Sequence, residues 1–222
     1  MSARDIHAGE IEMHIARIAN EFRSGFKFLS KYPKSVSIFG SSLAKSNSEH
    51  YMQAEDLSSA IARETGHTVI TGGGPGIMEA ANKGAAEAGG SSIGLTISLP
   101  HDRHVNDYLS DKIHFADFFS RKAMLTFAAE AYIFFPGGYG TLDELFSILT
   151  LIQTDKIAKV PVILFGSHFW DAFVVFMRQV MIRDYNTISE RDLGFVEITD
   201  SIDRVVEILK KSQVHEWARN VN

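Results

Sequence analysis

A chain of 222 residues, 45% of them hydrophobic, is long enough for one large packed core or two small ones. Its net charge of −5 supplies no field to draw in nucleic acid or an anionic membrane, and neither is expected as a partner. With no cysteine, disulfides, thiolate metal ligands and cysteine nucleophiles are excluded. The N-terminal segment carries charges and no apolar signal-peptide core, and no run approaches the ~18 apolar residues of a membrane span. A cytoplasmic setting is therefore expected.

Residues 10–31 place Ile11, Ile15, Ile18, Phe22, Phe26 and Leu29 at steps of three and four. That spacing predicts an amphipathic helix packed outside the sheet or on a partner subunit. Val36-Ser37-Ile38-Phe39 reads as a strand ending in Gly40-Ser41-Ser42, followed by a helix from Glu49 to Glu64 that Gly66 closes. His67 to Thr71 is a second strand, running into Gly72-Gly73-Gly74-Pro75-Gly76 and an alanine-rich helix from Ile77 to Ala88. Ser92 to Leu99 reads as the third strand, stopped by Pro100. Residues 101–112 are polar and irregular, and Ile113-His114-Phe115 is a short strand.

A helix from Phe118 to Glu130 carries Arg121 and Lys122 near its start. Ala131 to Phe135 is an apolar strand that breaks at Pro136-Gly137-Gly138. The chain then restarts as a helix to Gln153, with Thr141 as N-cap and Asp143 and Glu144 in its first turn. Val160 to Phe165 is a further strand. Residues 168–182 are apolar nearly all round and are expected to be buried on two sides, one of them by a second subunit. Phe195 to Ile198 and Ile202 to Trp217 supply a last strand and helix. Strands alternate with helices without a compositional break. The expected fold class is α/β, a parallel sheet of about six or seven strands with helices on both faces. It is expected as one domain over residues 1–222, with the helix within residues 1–33 packed on it.

Three strand ends carry loop chemistry: Gly40-Ser41-Ser42, Gly72 to Gly76, and Gly137 to Thr141. Such glycines can simply make tight turns, but two runs that enter helices directly favour a phosphate site at the helix N-termini. The G-x-G-x-x-G spacing fails, because Ile77, Glu79 and Asp143 fall where its last glycine belongs, and no Gly-Lys-Ser/Thr follows either run. The reading is a mononucleotide site without the NAD or ATP signatures. Glu144 is either a capping carboxylate three residues after Thr141 or a group that meets another part of the ligand. Arg121 and Lys122 are either a solvated helix face or part of the same site. His101, Asp102 and His104 lack a metal-ligand spacing, and Ser41-Ser42 lacks a nucleophile elbow, so neither a metal nor a cofactor is expected.

Arg121-Lys122-Ala123-Met124 followed by Pro136-Gly137-Gly138-Tyr139-Gly140-Thr141-Leu142-Asp143-Glu144 resembles the LOG (Lonely guy) family. Its members share P-G-G-x-G-T-x-x-E and an upstream R-K, and many were once labelled possible lysine decarboxylases. The resemblance extends over about residues 35–185, including the Gly-Gly-Gly-Pro-Gly-Ile-Met run at 72–78. It implies a Rossmann-like, three-layer αβα fold and a homodimer with active sites near the subunit interface. It also implies a phosphoribohydrolase that splits AMP or a cytokinin riboside 5′-monophosphate into free base and ribose 5-phosphate.

Carried over by position, Arg121 and Glu144 match the catalytic pair. Gly73, Gly74, Gly138, Gly140 and Thr141 match the phosphate- and ribose-binding loops, and Gly40, Ser41, Lys122 and Gly137 complete the expected substrate-binding set. Met124 stands where many members carry an acidic residue, and the N-terminal helix and the 101–106 loop lie outside the family core. The competing reading is a non-catalytic nucleotide or cofactor carrier of the same fold. An amino-acid decarboxylase is disfavoured, since no lysine stands in a recognisable Schiff-base setting.

Overall fold

Short strands whose every residue is apolar or small cannot face water, so they must be covered on both sides, the situation of a parallel sheet. The structure, a computed structural model that describes residues 8–97 and 104–212, has that arrangement. Its strands are β1 (Ser35–Phe39), β2 (Thr68–Thr71), β3 (Ser92–Ile97), β4 (Asp111–Phe115), β5 (Tyr132–Phe134), β6 (Val162–Phe165) and β7 (Val196–Thr199). They form one seven-stranded sheet in the order β4-β3-β2-β1-β5-β6-β7, every neighbour pair parallel. This is the α/β, Rossmann-like architecture expected from the sequence. At the centre Ser37 is in register with Tyr132 and Ile38 with Ile133.

The helices are α1 (Ala8–Leu29), α2 (Glu49–Thr65), α3 (Ile77–Glu87), α4 (Phe118–Phe127), α5 (Tyr139–Gln153), α6 (Ser167–Phe176), α7 (Glu190–Leu193) and α8 (Ile202–Lys211). Because alternate strand residues point to opposite faces, the sheet has two cores. Ile38, Val69, Ile133 and Ile163 pack under α2, α3 and α8, whereas Phe39, Ile70, Phe134 and Leu164 pack under α1, α4, α5 and α6. Trp170 of α6 is fully buried, and its indole N–H donates to the carbonyls of Phe134 (3.0 Å) and Phe165 (3.2 Å), fixing α6 to the sheet. On the opposite face α3 crosses α2 so closely that a Cβ on Gly84 would come 2.0 Å from the Glu55 carbonyl oxygen. Gly66 ends α2 in the left-handed conformation (φ 67°), as its place in the sequence requires.

One expectation is corrected. Thr141 is not the N-cap of α5, which begins at Tyr139 behind Gly138 and has no side-chain cap. Thr141 is its third residue, so Asp143 and Glu144 fall beyond the first turn. The physical reason is that extended Gly138 lets the chain enter the helix three residues sooner than a threonine cap would. Within one chain the segment 168–182 is covered on one side, and its other side faces outward, where the expectation places a second subunit. Across α6 and the π-helical stretch that follows it, Met177–Asp184, Trp170 and Met177 are buried while Phe169 (39% exposed) and Phe176 (48%) face outward. The expected end of the third strand at 98–99, His101 to Arg103, and the end of the last helix at 213–217 lie outside the described residues.

Candidate functional site

The strand order reverses between β1 and β5: the chain winds outward from β1 through β2, β3 and β4, then returns to the other side of β1. Loops leaving the carboxyl ends of those two strands must diverge, and the crevice between them is where ligands settle in such sheets. A cleft of about 570 Å³ opens there. It is lined by the ends of the β1, β2 and β5 loops together with Arg121 of α4 and Glu144 of α5. The loops are tied to one another, since Ser41 N–H donates to the Pro136 carbonyl (3.0 Å) and Ile77 N–H to the Ser41 carbonyl (3.0 Å).

Most of the residues singled out in the sequence converge on this cleft: Gly40, Ser41, Gly73, Gly74, Gly138, Gly140, Thr141, Arg121 and Glu144. Gly137 lies on the far side of the same turn, packed against Thr141. A side chain at Gly138 or Gly140 would meet nothing within 4 Å. Packing inside the chain therefore does not require glycine there, and what these two residues leave clear is the approach to the backbone. The opening N–H groups of α5 have no intrahelical acceptor and no side-chain cap, so the helix presents free donors and the positive end of its dipole to the cleft.

Arg121 is positioned by its backbone neighbours. Asp117 caps α4 by accepting from the N–H groups of Phe119 and Ser120 (both 3.0 Å), which offsets the cost of basic residues early in the helix. The Arg121 Nε–H donates to the Leu95 carbonyl at 2.8 Å, and its Nη2 lies over Gly72, where any Cβ would come within 2.1 Å. Burial lowers the guanidinium's pKa and the nearby Glu144 works against that, yet arginine stays cationic in proteins.

Glu144 is the unusual group. It is only 6% exposed, and its enclosed Oε2 accepts no hydrogen bond. Lys122 Nζ stands 3.4 Å from that oxygen as an ion pair and 2.6 Å from Asp143 Oδ2. Burial raises the Glu144 pKa above the ordinary carboxylate value and Asp143 adds to this, while Lys122 and Arg121 oppose it. Lys122 itself does not line the cleft; it meets the site through the two α5 carboxylates.

The polar segment around Asn106 backs the β2 loop, a contact that no local pattern in the chain announces. Asn106 N–H donates to the Gly73 carbonyl (2.9 Å), and its side-chain amide donates to the Gly74 carbonyl and to Asn82 Oδ1 (both 3.0 Å). Thr71, Asn82 and Ser92 continue this buried network behind the loop. His104 is exposed and faces Asp107 at 3.9 Å. No group of three or more histidine or acidic residues suited to a metal occurs among the described residues, and none of their lysines lines the cleft. No described helix is long and apolar enough to cross a membrane.

Residues 78–209 match the family described as possible lysine decarboxylase. The cytokinin riboside 5′-monophosphate phosphoribohydrolase of Rhodococcoides fascians is 26% identical over 163 residues, covering 72% of this chain and 81% of the relative. The protein of the same name from Mycobacterium tuberculosis is 34% identical over 99 residues, 44% of this chain and 52% of the relative. Among solved structures, that of TM1055 superposes with a TM-score of 0.60 at 27% identity, covering 80% of this chain and 99% of the other. The molybdenum cofactor carrier protein of Chlamydomonas reinhardtii superposes with a TM-score of 0.59 at 22% identity, covering 80% and 96%, a likeness of fold alone. With well over half its length matched, and with the arginine and glutamate of the shared motif facing one cleft, the chain belongs to the possible lysine decarboxylase family, the LOG family.

Proposed function

We propose that the protein is a nucleoside 5′-monophosphate phosphoribohydrolase, acting on AMP or a cytokinin riboside 5′-monophosphate as a homodimer in the cytoplasm, with residues 1–222 working as one domain. The observation that carries this reading is the buried Glu144 carboxylate facing a cleft that is also lined by the uncapped start of the same helix and by an arginine. A protein that only held a phosphate would gain nothing from a carboxylate there, because like charges repel in a poorly solvated site. A reaction that builds positive charge on a ribose needs one.

In this reading the phosphate binds the free N–H groups at the start of α5 and the Gly73-Gly74 loop, with Thr141 beside it. That fixes the ribose with C1′ toward Glu144. As the C1′–N bond lengthens, the ribose becomes an oxocarbenium-like cation that the carboxylate stabilises. Water adds to C1′, its proton passes to the departing base, and free base and ribose 5-phosphate result. Arg121, held by Leu95 and shaped by Gly72, keeps its charge toward the phosphate side and steadies Glu144. The names of the relatives in Rhodococcoides fascians and Mycobacterium tuberculosis support the same reaction class. A dimer is supported by the outward-facing aromatics of α6, where Phe173 meets Phe146 of α5 edge-on at 5.5 Å beside exposed Phe169 and Phe176.

The test is a comparison of wild type with Glu144→Gln, following both AMP binding and adenine release. The reading expects binding to persist and turnover to fall by at least ~10³-fold, the scale of losing a group aimed at developing charge. A Gln variant that keeps most of the activity removes Glu144 from the mechanism.

A further inference from the structure

Lys122 reaches from α4 to the second turn of α5, and its ammonium rests closer to the carboxylate that needs it less. Asp143 is half exposed and is solvated by water, whereas Glu144 is buried with an oxygen that accepts no hydrogen bond. A buried carboxylate gains more from a neighbouring cation than a solvated one does. The ammonium nevertheless sits 2.6 Å from Asp143 and 3.4 Å from Glu144.

We propose that Asp143 is a positioning residue: by drawing the Lys122 ammonium toward solvent, it leaves the Glu144 carboxylate only half paired and open to a ligand cation. The inference rests on the hydrolase reading above. Among the described residues, the ionisable groups facing Glu144 are Arg121 and Lys122 from α4, Tyr132 from β5 and Asp143 on its own helix. Arg121 is anchored to the Leu95 carbonyl, and the Tyr132 hydroxyl donates to the Thr126 carbonyl. Lys122, on a four-carbon stem, is the group with two acceptors to choose between. Were it to close on Glu144, the carboxylate would be neutralised where the ribose charge develops. A site without Lys122 would err the other way, because burial would leave Glu144 protonated over more of the pH range.

The experiment uses Asp143→Asn, Asp143→Glu and Lys122→Met in the full chain. Two readouts are taken: the pH dependence of kcat/KM with AMP, and the carbon-13 NMR titration of the Glu144 carboxyl, assigned by its loss in Glu144→Gln. Asp143→Asn is expected to move the Glu144 titration and the acid limb of kcat/KM to lower pH. Its plateau kcat should fall about tenfold, a modest share of what such electrostatic groups supply. Asp143→Glu should restore both, and Lys122→Met should move both to higher pH.

Loss of the Asp143 charge alone also lowers the Glu144 titration, so Asp143→Asn is compared with the same change made on Lys122→Met. A shift no larger with Lys122 present than without it overturns the inference, whatever happens to kcat. A larger shift with Lys122 present than without it, in a protein that releases no base even as wild type, supports the placement of Lys122 while refuting the hydrolase reading. Asp143 is half exposed, so a melting curve near wild type is expected for its variants.

Discussion

Replacing Gly72 with alanine asks whether Arg121 works from the place where it stands. The new Cβ would lie 2.1 Å from Arg121 Nη2 and 2.8 Å from Met78 Sδ. The thioether can swing aside. The guanidinium cannot easily do so, because its Nε–H is held by the Leu95 carbonyl at 2.8 Å. Restoring ordinary contact requires Nη2 to retreat by about 1.3 Å, which breaks or bends that bond. Misplacement of about 1 Å at a reacting centre costs about 10²-fold, so kcat/KM for AMP should fall roughly 100-fold, or ~2.7 kcal/mol. A charged hydrogen bond is worth ~1.5–3 kcal/mol to folding, so Tm should drop by no more than about 12 °C for a chain of this length. Steady-state kinetics and a melting curve on one preparation measure both. Activity within threefold of wild type at an unchanged Tm would refute the assignment of Arg121 to the site.

Removing the buried Glu144 charge should stabilise the fold. Burial raises the carboxyl's pKa, so its stability contribution is fully present below the ordinary value of 4.5 and is lost as pH rises through the higher folded-state value. Glu144→Gln should therefore melt above wild type at pH 7, with the gap closing toward pH 4.5; a gap that is constant across this range would contradict the burial argument. Gly84→Ala drives a Cβ to 2.0 Å from the Glu55 carbonyl and should cost about 1–3 kcal/mol of stability with kcat unchanged; urea unfolding beside an activity assay would decide it. Phe176→Glu places a charge on the exposed face of α6 and should convert a dimer to a monomer in sedimentation; an intact dimer would put the interface elsewhere.

Periodicity made most of the fold legible. The buried strands, the apolar stripe of α2 and the left-handed Gly66 are local patterns, and each element lies near its expected place. The site was legible in outline, because a strand end, a glycine run and a helix start are consecutive in the chain. What escaped was long-range. Lys122 meets Asp143 across 21 positions and Asn106 meets Gly74 across 32, and no local rule links them. Gly72 looked like one more loop glycine until Arg121 was seen over it. A threonine near a helix start is usually a cap, but Thr141 is not one, and the uncapped start of α5 leaves its amides to the cleft. Residues 168–182 are apolar enough to need cover on both sides, and one chain covers only one of them, leaving Phe169 and Phe176 exposed.

The most direct measurement is incubation of the purified protein with AMP, GMP, CMP, UMP and N6-isopentenyl AMP, with free base resolved by chromatography. The account predicts release of base and an equal amount of ribose 5-phosphate from at least one purine nucleotide, abolished in Glu144→Gln. Nucleotide that binds and is recovered intact from every incubation would contradict it and point to a carrier.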